Sequence, residues 1–165
     1  MLVIEFLIYE QGSRTLSEAV LKAREITYED LFNEQGTCDG MIRISPEGNP
    51  GVQLEDELPA LIKNLCFEAN RELKETGQSI YYFNSYPGQI NLTAADRIVK
   101  IEGNVMTTSF YEFGQFTEGL YNCGIRFIEL IRNIKVLNEE VEKDRLSLIQ
   151  ILESAKKDMD NQTAL

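Results

Sequence analysis

The sequence of 165 residues contains no histidine. A Ser-His-Asp or Cys-His catalytic group is therefore excluded, and so is any metal site that needs an imidazole ligand. The nucleotide-binding patterns GxGxxG and GxxxxGK[ST] and the GxSxG pattern of serine hydrolases are also absent. Carboxylates are plentiful, but their spacing singles out no hydrolytic pair. We therefore predict a binding protein without cofactor or metal ion, and not an enzyme.

Cysteine is scarce as well. Cys38, Cys66 and Cys123 are widely spaced and form no CxxC pair, so they predict reduced and mostly buried thiols. Cys38, beside Asp39, is expected to be the most exposed of the three. The apolar N-terminal residues 1–9 lack the basic region and cleavage site of a signal peptide and are too short to cross a bilayer. These features predict a cytoplasmic protein.

Charge of one sign is in excess. The chain has 27 acidic and 16 basic residues, a net charge of −11. This balance argues against binding to nucleic acid and to anionic membranes, since both need basic residues. Residues 25–62 hold nine acidic residues against one basic residue, Arg43, whereas the other 127 residues carry 18 acidic and 15 basic residues. The excess is therefore concentrated in one segment.

A concentrated acidic segment favours a binding surface for a basic protein, because complementary charge raises the association rate and rejects wrong partners. Exposed Tyr28 and Phe32 would add aromatic anchors to it. The competing interpretation is a solvated face with carboxylates at helix N-termini, which suits residues 55–57 in particular. The predicted partner-binding residues are Glu25, Tyr28, Glu29, Asp30, Phe32, Glu34, Asp39, Glu47, Glu55, Asp56 and Glu57.

Hydrophobic periodicity predicts the secondary structure. Residues 3–9 and 41–45 are predicted strands, and residues 15–33 fit a helix or a strand, with a short helix favoured. Thr27 and Asp30 resemble a capping box. A helix is predicted over residues 57–76, with Asp56 as N-cap and Gly77 as the left-handed residue after its end.

The sequence of the second half of the chain predicts a β-meander followed by helices. Residues 80–86, 90–94, 98–102 and 105–110 are predicted strands joined by tight turns, including a type II turn at Pro87-Gly88. A helix marked by Phe113 to Ile134 follows, with Gly119 and Gly124 packed closely against the sheet. Asn138 then caps a further helix.

The predicted fold class is α+β, with an antiparallel β-meander sheet of about five to six strands and three main helices packed against it. Residues 1–137 would form one domain. Residues 138–160 would form a C-terminal helix that packs on this domain or serves in association, and residues 161–165 would be a frayed tail.

Five short stretches between residues 40 and 135 give a resemblance to a known class of proteins: 40–44 (GMIRI), 61–66 (LIKNLC), 80–83 (IYYF), 88–92 (GQINL) and 124–128 (GIRFI). In these, the small acidic α+β chain resembles bacterial immunity proteins of contact-dependent growth inhibition and polymorphic toxin systems. The resemblance implies a cytoplasmic, non-enzymatic inhibitor that neutralises a basic cognate toxin domain, often a nuclease. It assigns no functional residues.

A second hypothesis is a structural or regulatory subunit that forms a homodimer. Ile134, Leu137, Val141, Leu148, Ile151 and Ala155 follow a heptad-like spacing, broken at Asp144, that a self-associating helix could use. The commoner alternative is an amphipathic helix that packs on its own domain.

Overall fold

The computed structural model describes residues 1–10, 14–47, 49–104 and 106–162. Within them the chain forms eight strands, in two four-stranded antiparallel sheets, and five helices. The α+β class is confirmed. The prediction of one sheet with five to six strands is wrong, since the strands divide between two sheets, and two short helices accompany the three main ones.

Sheet 1 comes from the first third of the chain and has the strand order β2-β1-β3-β4. Its strands are β1 (Leu2–Glu10), β2 (Arg14–Ser17), β3 (Asp39–Pro46) and β4 (Val52–Glu57). The edge strand β4 was missed, and the edge strand β2 lies mostly within the segment 15–33, for which a short helix was favoured over a strand. β2 is only four residues long, and the acidic end of β4 has the composition of a helix start.

Two short helices connect β2 to β3. They are α1 (Glu18–Ala23) and α2 (Tyr28–Leu31). The ambiguous segment therefore contains both a strand and helices. The capping box that begins α2 is confirmed, because the Thr27 side chain accepts from the Asp30 amide and the Asp30 carboxylate accepts from the Thr27 amide.

The first long helix, α3, comprises Leu58–Ala60, a π-helical stretch Leu61–Ala69, and Asn70–Thr76. Pro59 lies in its first turn, where a missing amide leaves no hydrogen bond unmade. Gly77 ends it with φ of 79°, as predicted. Asp56 is not its side-chain cap, because Asp56 lies in β4 and Glu57 occupies the N-cap position.

Sheet 2 is the predicted sequential meander, in the order β5-β6-β7-β8. Its strands are β5 (Gln78–Tyr82), β6 (Gln89–Ala95), β7 (Ile98–Gly103) and β8 (Met106–Glu112). Val105, the predicted start of the last strand, lies outside the described residues. β5 ends four residues earlier than predicted, so residues 83–88 form a loop between β5 and β6 in place of a tight turn.

Two long helices complete the chain: α4 (Phe113–Asn133) and α5 (Glu139–Gln162). Asn138 caps α5 as predicted, since its Oδ1 accepts from the Glu140 amide. The close approach predicted for the two glycines of α4 is present. Gly119 packs against Ile4 of sheet 1, and Gly124 packs against Phe67 of α3 and not against a sheet. Of the predicted frayed tail, residues 161 and 162 belong to α5, and residues 163–165 lie outside the described residues.

One core holds the elements together. Helix α3 contacts α4, α5 and β5, and α4 also contacts β1. Leu152, Ala155 and Met159 of α5 are buried in the same core. All three cysteines are buried, and Cys38 is only 1% exposed, so the expectation that it is accessible is wrong. Burial, with Asp39 and Glu57 nearby, raises the pKa of the Cys38 thiol well above its usual value.

Candidate protein-binding surface

Tyr28 and Phe32, the predicted aromatic anchors, lie in the core. Their rings stack with centroids 4.1 Å apart, and both side chains are buried. Burial, together with the nearby Asp144, raises the pKa of the Tyr28 phenol to about 12. The position of α2 against β1 explains this placement. Both side chains line a shallow groove beside Glu34 and Glu57, but at 3% and 5% exposure they offer a partner almost no surface.

Glu29 and Asp30 hold local structure together. The Glu29 Oε1 atom accepts from the amides of Leu137 and Asn138, at 2.9 and 3.0 Å, immediately before α5. Asp30 belongs to the capping box of α2. Charge reversal at these two positions would remove the capping box of α2 and the hydrogen bonds that hold the segment immediately before α5. It would therefore test stability rather than the binding surface.

Asp56 is a buried carboxylate that joins the two sheets. Its Oδ2 atom accepts from the Tyr81 hydroxyl at 2.6 Å and the Asn84 amide at 2.7 Å. Its Oδ1 atom accepts from the Ser85 amide at 2.9 Å and the Ser85 hydroxyl at 2.6 Å, and from the Glu57 amide at 2.8 Å. Burial raises the pKa of Asp56, but these hydrogen bonds outweigh it and leave the pKa below its usual value.

The other predicted acids gather mostly at one end of the molecule. Asp39 is the direct cross-strand neighbour of Glu57, and Glu55 lies two residues before Glu57 on the same face of β4. Glu57, Glu34 and Asp144 line one shallow groove of about 360 Å³. We call Glu34, Asp39, Glu55, Glu57 and Asp144 the acidic end.

No ion pair neutralises the acidic end within the described part of the chain. Its polar partners are neutral: the Tyr9 hydroxyl donates to Glu55 at 2.8 Å, and the Asn84 amide group donates to Glu57 at 2.7 Å. Partial burial raises the pKa of Tyr9, and the charges of Glu55 and Asp39 raise it further. The surface therefore carries uncompensated negative charge.

Two predicted residues lie away from the acidic end. Glu47 follows the last residue of β3, so the full length of that strand, about 25 Å, separates it from Asp39. It lies near the N-terminal ammonium group at 3.4 Å. Glu25 lines a separate groove between α1 and α4. The segment from residue 25 to 62 is therefore not one continuous surface.

Sequence reasoning missed Asp144 as a member of the acidic end, and it missed Tyr9 and Tyr86 as neighbours of this surface. The Tyr86 hydroxyl donates to the backbone oxygen of Glu55 at 3.0 Å, and the Tyr86 ring is partly exposed. Tyr9 and Tyr86 are 46 and 31 positions away from Glu55, and Asp144 is 110 positions away from Glu34. No local pattern in the sequence carries that information.

The groove between α1 and α4, which we call the α1–α4 groove, has a volume of about 520 Å³. Its apolar lining, which we call the floor, consists of Phe6, Leu21, Ile26, Leu130 and Ile134. Charged side chains also line it, and these are Glu18, Lys22, Arg24, Glu25, Arg126, Glu129 and Lys135. Four of the seven are basic, which reverses the balance of the chain as a whole.

Comparison of the chain with protein family models, with curated proteins and with solved structures gives no match. Across the described residues, no helix has the length and apolar character needed to cross a membrane. The same residues contain no cluster of three or more cysteine, aspartate or glutamate side chains arranged to hold a metal ion.

Proposed function

We propose that this chain is a cytoplasmic immunity protein, which binds a basic toxin domain through the acidic end and so neutralises it. The observation that carries the proposal is the pairing of Asp39 directly opposite Glu57, with Glu55 beside them and, within the described residues, no ion pair to any of the three. The resemblance to immunity proteins, already described, supports the same function.

Like charges directly opposite each other destabilise an antiparallel pair of strands. A fold that keeps three carboxylates together without a counter-charge loses stability by doing so. Binding to a basic surface would reverse this cost, since the partner supplies the missing positive charge and long-range attraction speeds association. This arrangement favours a partner-binding role over a merely solvated face.

The acidic end also has apolar and aromatic neighbours that suit an interface. Tyr86 and Ile151 are both partly exposed, at 37% and 49%. Ile151 lines the same shallow groove as Glu34, Glu57 and Asp144. Interfaces commonly surround a few such anchors with polar groups. The described residues therefore offer contact area as well as charge.

The test begins with affinity capture from the native host and mass spectrometry, to identify a basic partner domain. The dissociation constant is then measured by calorimetry for the unchanged protein and for the triple variant Glu34→Lys, Asp39→Lys, Glu55→Lys. We expect the variant to bind at least about a hundredfold more weakly, because each reversal replaces attraction by repulsion. We also expect the unchanged protein to lose affinity as salt is added.

A matched control is the triple variant Glu75→Lys, Glu118→Lys, Asp158→Lys. It changes the net charge equally at exposed positions outside the acidic end. It should keep most of the affinity and should still protect cells that express the toxin. Equal loss in both variants would show that only net charge matters, and unchanged binding in the first variant would refute the acidic end as the interface.

The self-association hypothesis has less support. Of the residues with heptad-like spacing, Ala155 is buried in the chain's own core, and Val141 and Leu148 pack against it. Leu137 and Ile151 stay exposed, as does Leu146. A homodimer through this helix therefore stays the second candidate.

A further inference from the structure

We propose that the α1–α4 groove binds a free small organic acid, which has an apolar body and one anionic group. The apolar body would lie on the floor of the groove. The anionic group would lie at the rim, near Lys22, Arg24 and Lys135. This site is separate from the acidic end and does not depend on the toxin-binding proposal.

The size and floor of the groove suit a small molecule. Its volume of about 520 Å³ lies within the range of about 300–1,000 Å³ that is typical of ligand sites. Phe6 and Leu21 are buried, and Ile26, Leu130 and Ile134 are half-buried, so several apolar side chains keep surface that a ligand could cover. Such sites are mostly apolar with a few polar groups that fix the orientation of the ligand.

The net positive charge at the rim of the groove favours an anionic ligand. Lys22, Arg24 and Lys135 are exposed, and within the described residues none of them forms an ion pair. Glu25 and Glu129 are the acids of the lining without an ion pair, which leaves one positive charge in excess. An arginine guanidinium also matches the geometry of a carboxylate with two parallel hydrogen bonds. One anionic group would therefore balance the rim.

The walls of the groove are held in place without a ligand. The Arg126 guanidinium donates to Glu18 at 2.7 Å and to the backbone oxygen of Ile4 at 2.7 Å, and so ties α4 to α1 and β1. The Tyr28 amide donates to the backbone oxygen of Lys135 at 2.8 Å, which fixes the end of the groove beyond α4. The site is therefore largely formed before a ligand binds, so binding would cost little conformational entropy.

The charge of the whole chain favours a free molecule over a lipid surface. Without the groove lining, the chain has 12 basic and 24 acidic residues, a net charge of −12. An anionic membrane surface would repel this charge over the length of a Debye layer. A free organic acid meets only the local positive excess at the rim. The groove therefore suits a single molecule that enters it from solution, and not a membrane surface.

The test is calorimetric titration of the full chain with decanoate, below the concentration at which decanoate forms micelles. Decyltrimethylammonium, decanol and octanoate are titrated in parallel. We expect saturable one-to-one binding of decanoate, weaker binding of decanol, and no binding of the cation. Octanoate should bind more weakly by about fourfold for each methylene removed, because each methylene loses apolar contact with the floor.

Two double variants locate the site. Lys22→Glu with Lys135→Glu should weaken decanoate binding at least about tenfold. Lys143→Glu with Lys157→Glu, which makes the same charge change at exposed positions of α5, should leave it within about twofold. Thermal unfolding of each variant establishes that it is folded.

Three results would overturn the proposal: no saturable binding of decanoate, equal affinities in the two double variants, or a cation that binds as tightly as decanoate. Binding to phosphatidylglycerol vesicles without binding of monomeric decanoate would also overturn it, and would assign the groove to a membrane surface.

Discussion

At the scale of single residues, Asp56 shows why composition is a poor guide to the role of an acid. It belongs to a run of three acidic residues, yet it is buried and accepts five hydrogen bonds, whereas its neighbour Glu55 is exposed. Its partners Tyr81, Asn84 and Ser85 are 25 to 29 positions away. Only the packing of sheet 1 near sheet 2 brings these residues close to Asp56.

We predict that Asp56→Asn lowers the free energy of unfolding at pH 7 by about 1.5–3 kcal/mol, the range for hydrogen bonds to a charged group. The pKa of Asp56 is lower in the folded protein than the ordinary value of 3.8. Its stabilising effect is therefore present above about pH 4 and is lost as the pH falls through the folded pKa. Urea unfolding from pH 7 to pH 3 should show the two proteins converging.

Asp39→Asn is the matched control for this prediction, since it makes the same chemical change at an exposed carboxylate. It should leave stability unchanged or raise it slightly, because it removes one of two facing negative charges. If both variants lose the same amount, the hydrogen bonds to Asp56 contribute nothing specific.

Features that depend on residues close together in the sequence were predictable, whereas contacts between residues far apart in the sequence were not. The capping box at Thr27 and Asp30, the cap at Asn138 and the left-handed Gly77 depend on spacings of two to four residues. Asp39 and Glu57 face each other only because β3 pairs with β4 in one particular register. The acidic segment was visible in the sequence, but its division into caps, core and surface was not.

At the scale of elements, the packing of α4 depends on its glycines. A Cβ atom on residue 124 would lie 2.5 Å from Cζ of Phe67, which is fully buried. A contact of that length forces the Phe67 side chain or one of the two helices to shift. Alanine at this position therefore brings a steric cost although it is the better helix former.

We predict that Gly124→Ala lowers the free energy of unfolding by about 1–2 kcal/mol, since overpacking costs more than the gain in helix propensity. Phe67→Leu shortens the opposing side chain and makes room for the added methyl group. The double variant should therefore be more stable than the sum of the two single changes indicates, as measured by denaturant unfolding. Strict additivity would contradict the proposed contact.

Long periodic elements were predictable from the sequence, and short edge strands were not. The apolar stripes of α3, α4 and α5 extend over many residues, and so does the alternation of buried and exposed residues in sheet 2. β2 has four residues, and the end of β4 is the acidic run at residues 55–57, which also suits a helix start. The two-residue turn at Asp96 and Arg97 has φ of 51° and 66°; aspartate commonly adopts such values, whereas arginine does not.

At the scale of the whole molecule, we predict that the protein is a monomer in solution. Helix α5 places Leu152, Ala155 and Met159 in its own core, and the net charge of −11 opposes close approach of two copies. Sedimentation at several concentrations should give one species. A dimer that strengthens with concentration would support the self-association hypothesis instead.

Deletion of residues 138–165 separates these alternatives further. The buried side chains of α5 would leave the core, so we expect the shortened chain to be much less stable. A shortened chain that stays fully stable and loses only its ability to dimerise would contradict this packing role.

The two sheets have different consequences for the order of folding. Sheet 2 pairs only strands that are neighbours in sequence, whereas β1 and β3 pair across the 28 residues between Glu10 and Asp39. Short loops close at a lower entropic cost, so sheet 2 can assemble first. Asp56 can meet Tyr81 only when both sheets exist. Losing that late contact should therefore speed unfolding more than it slows folding.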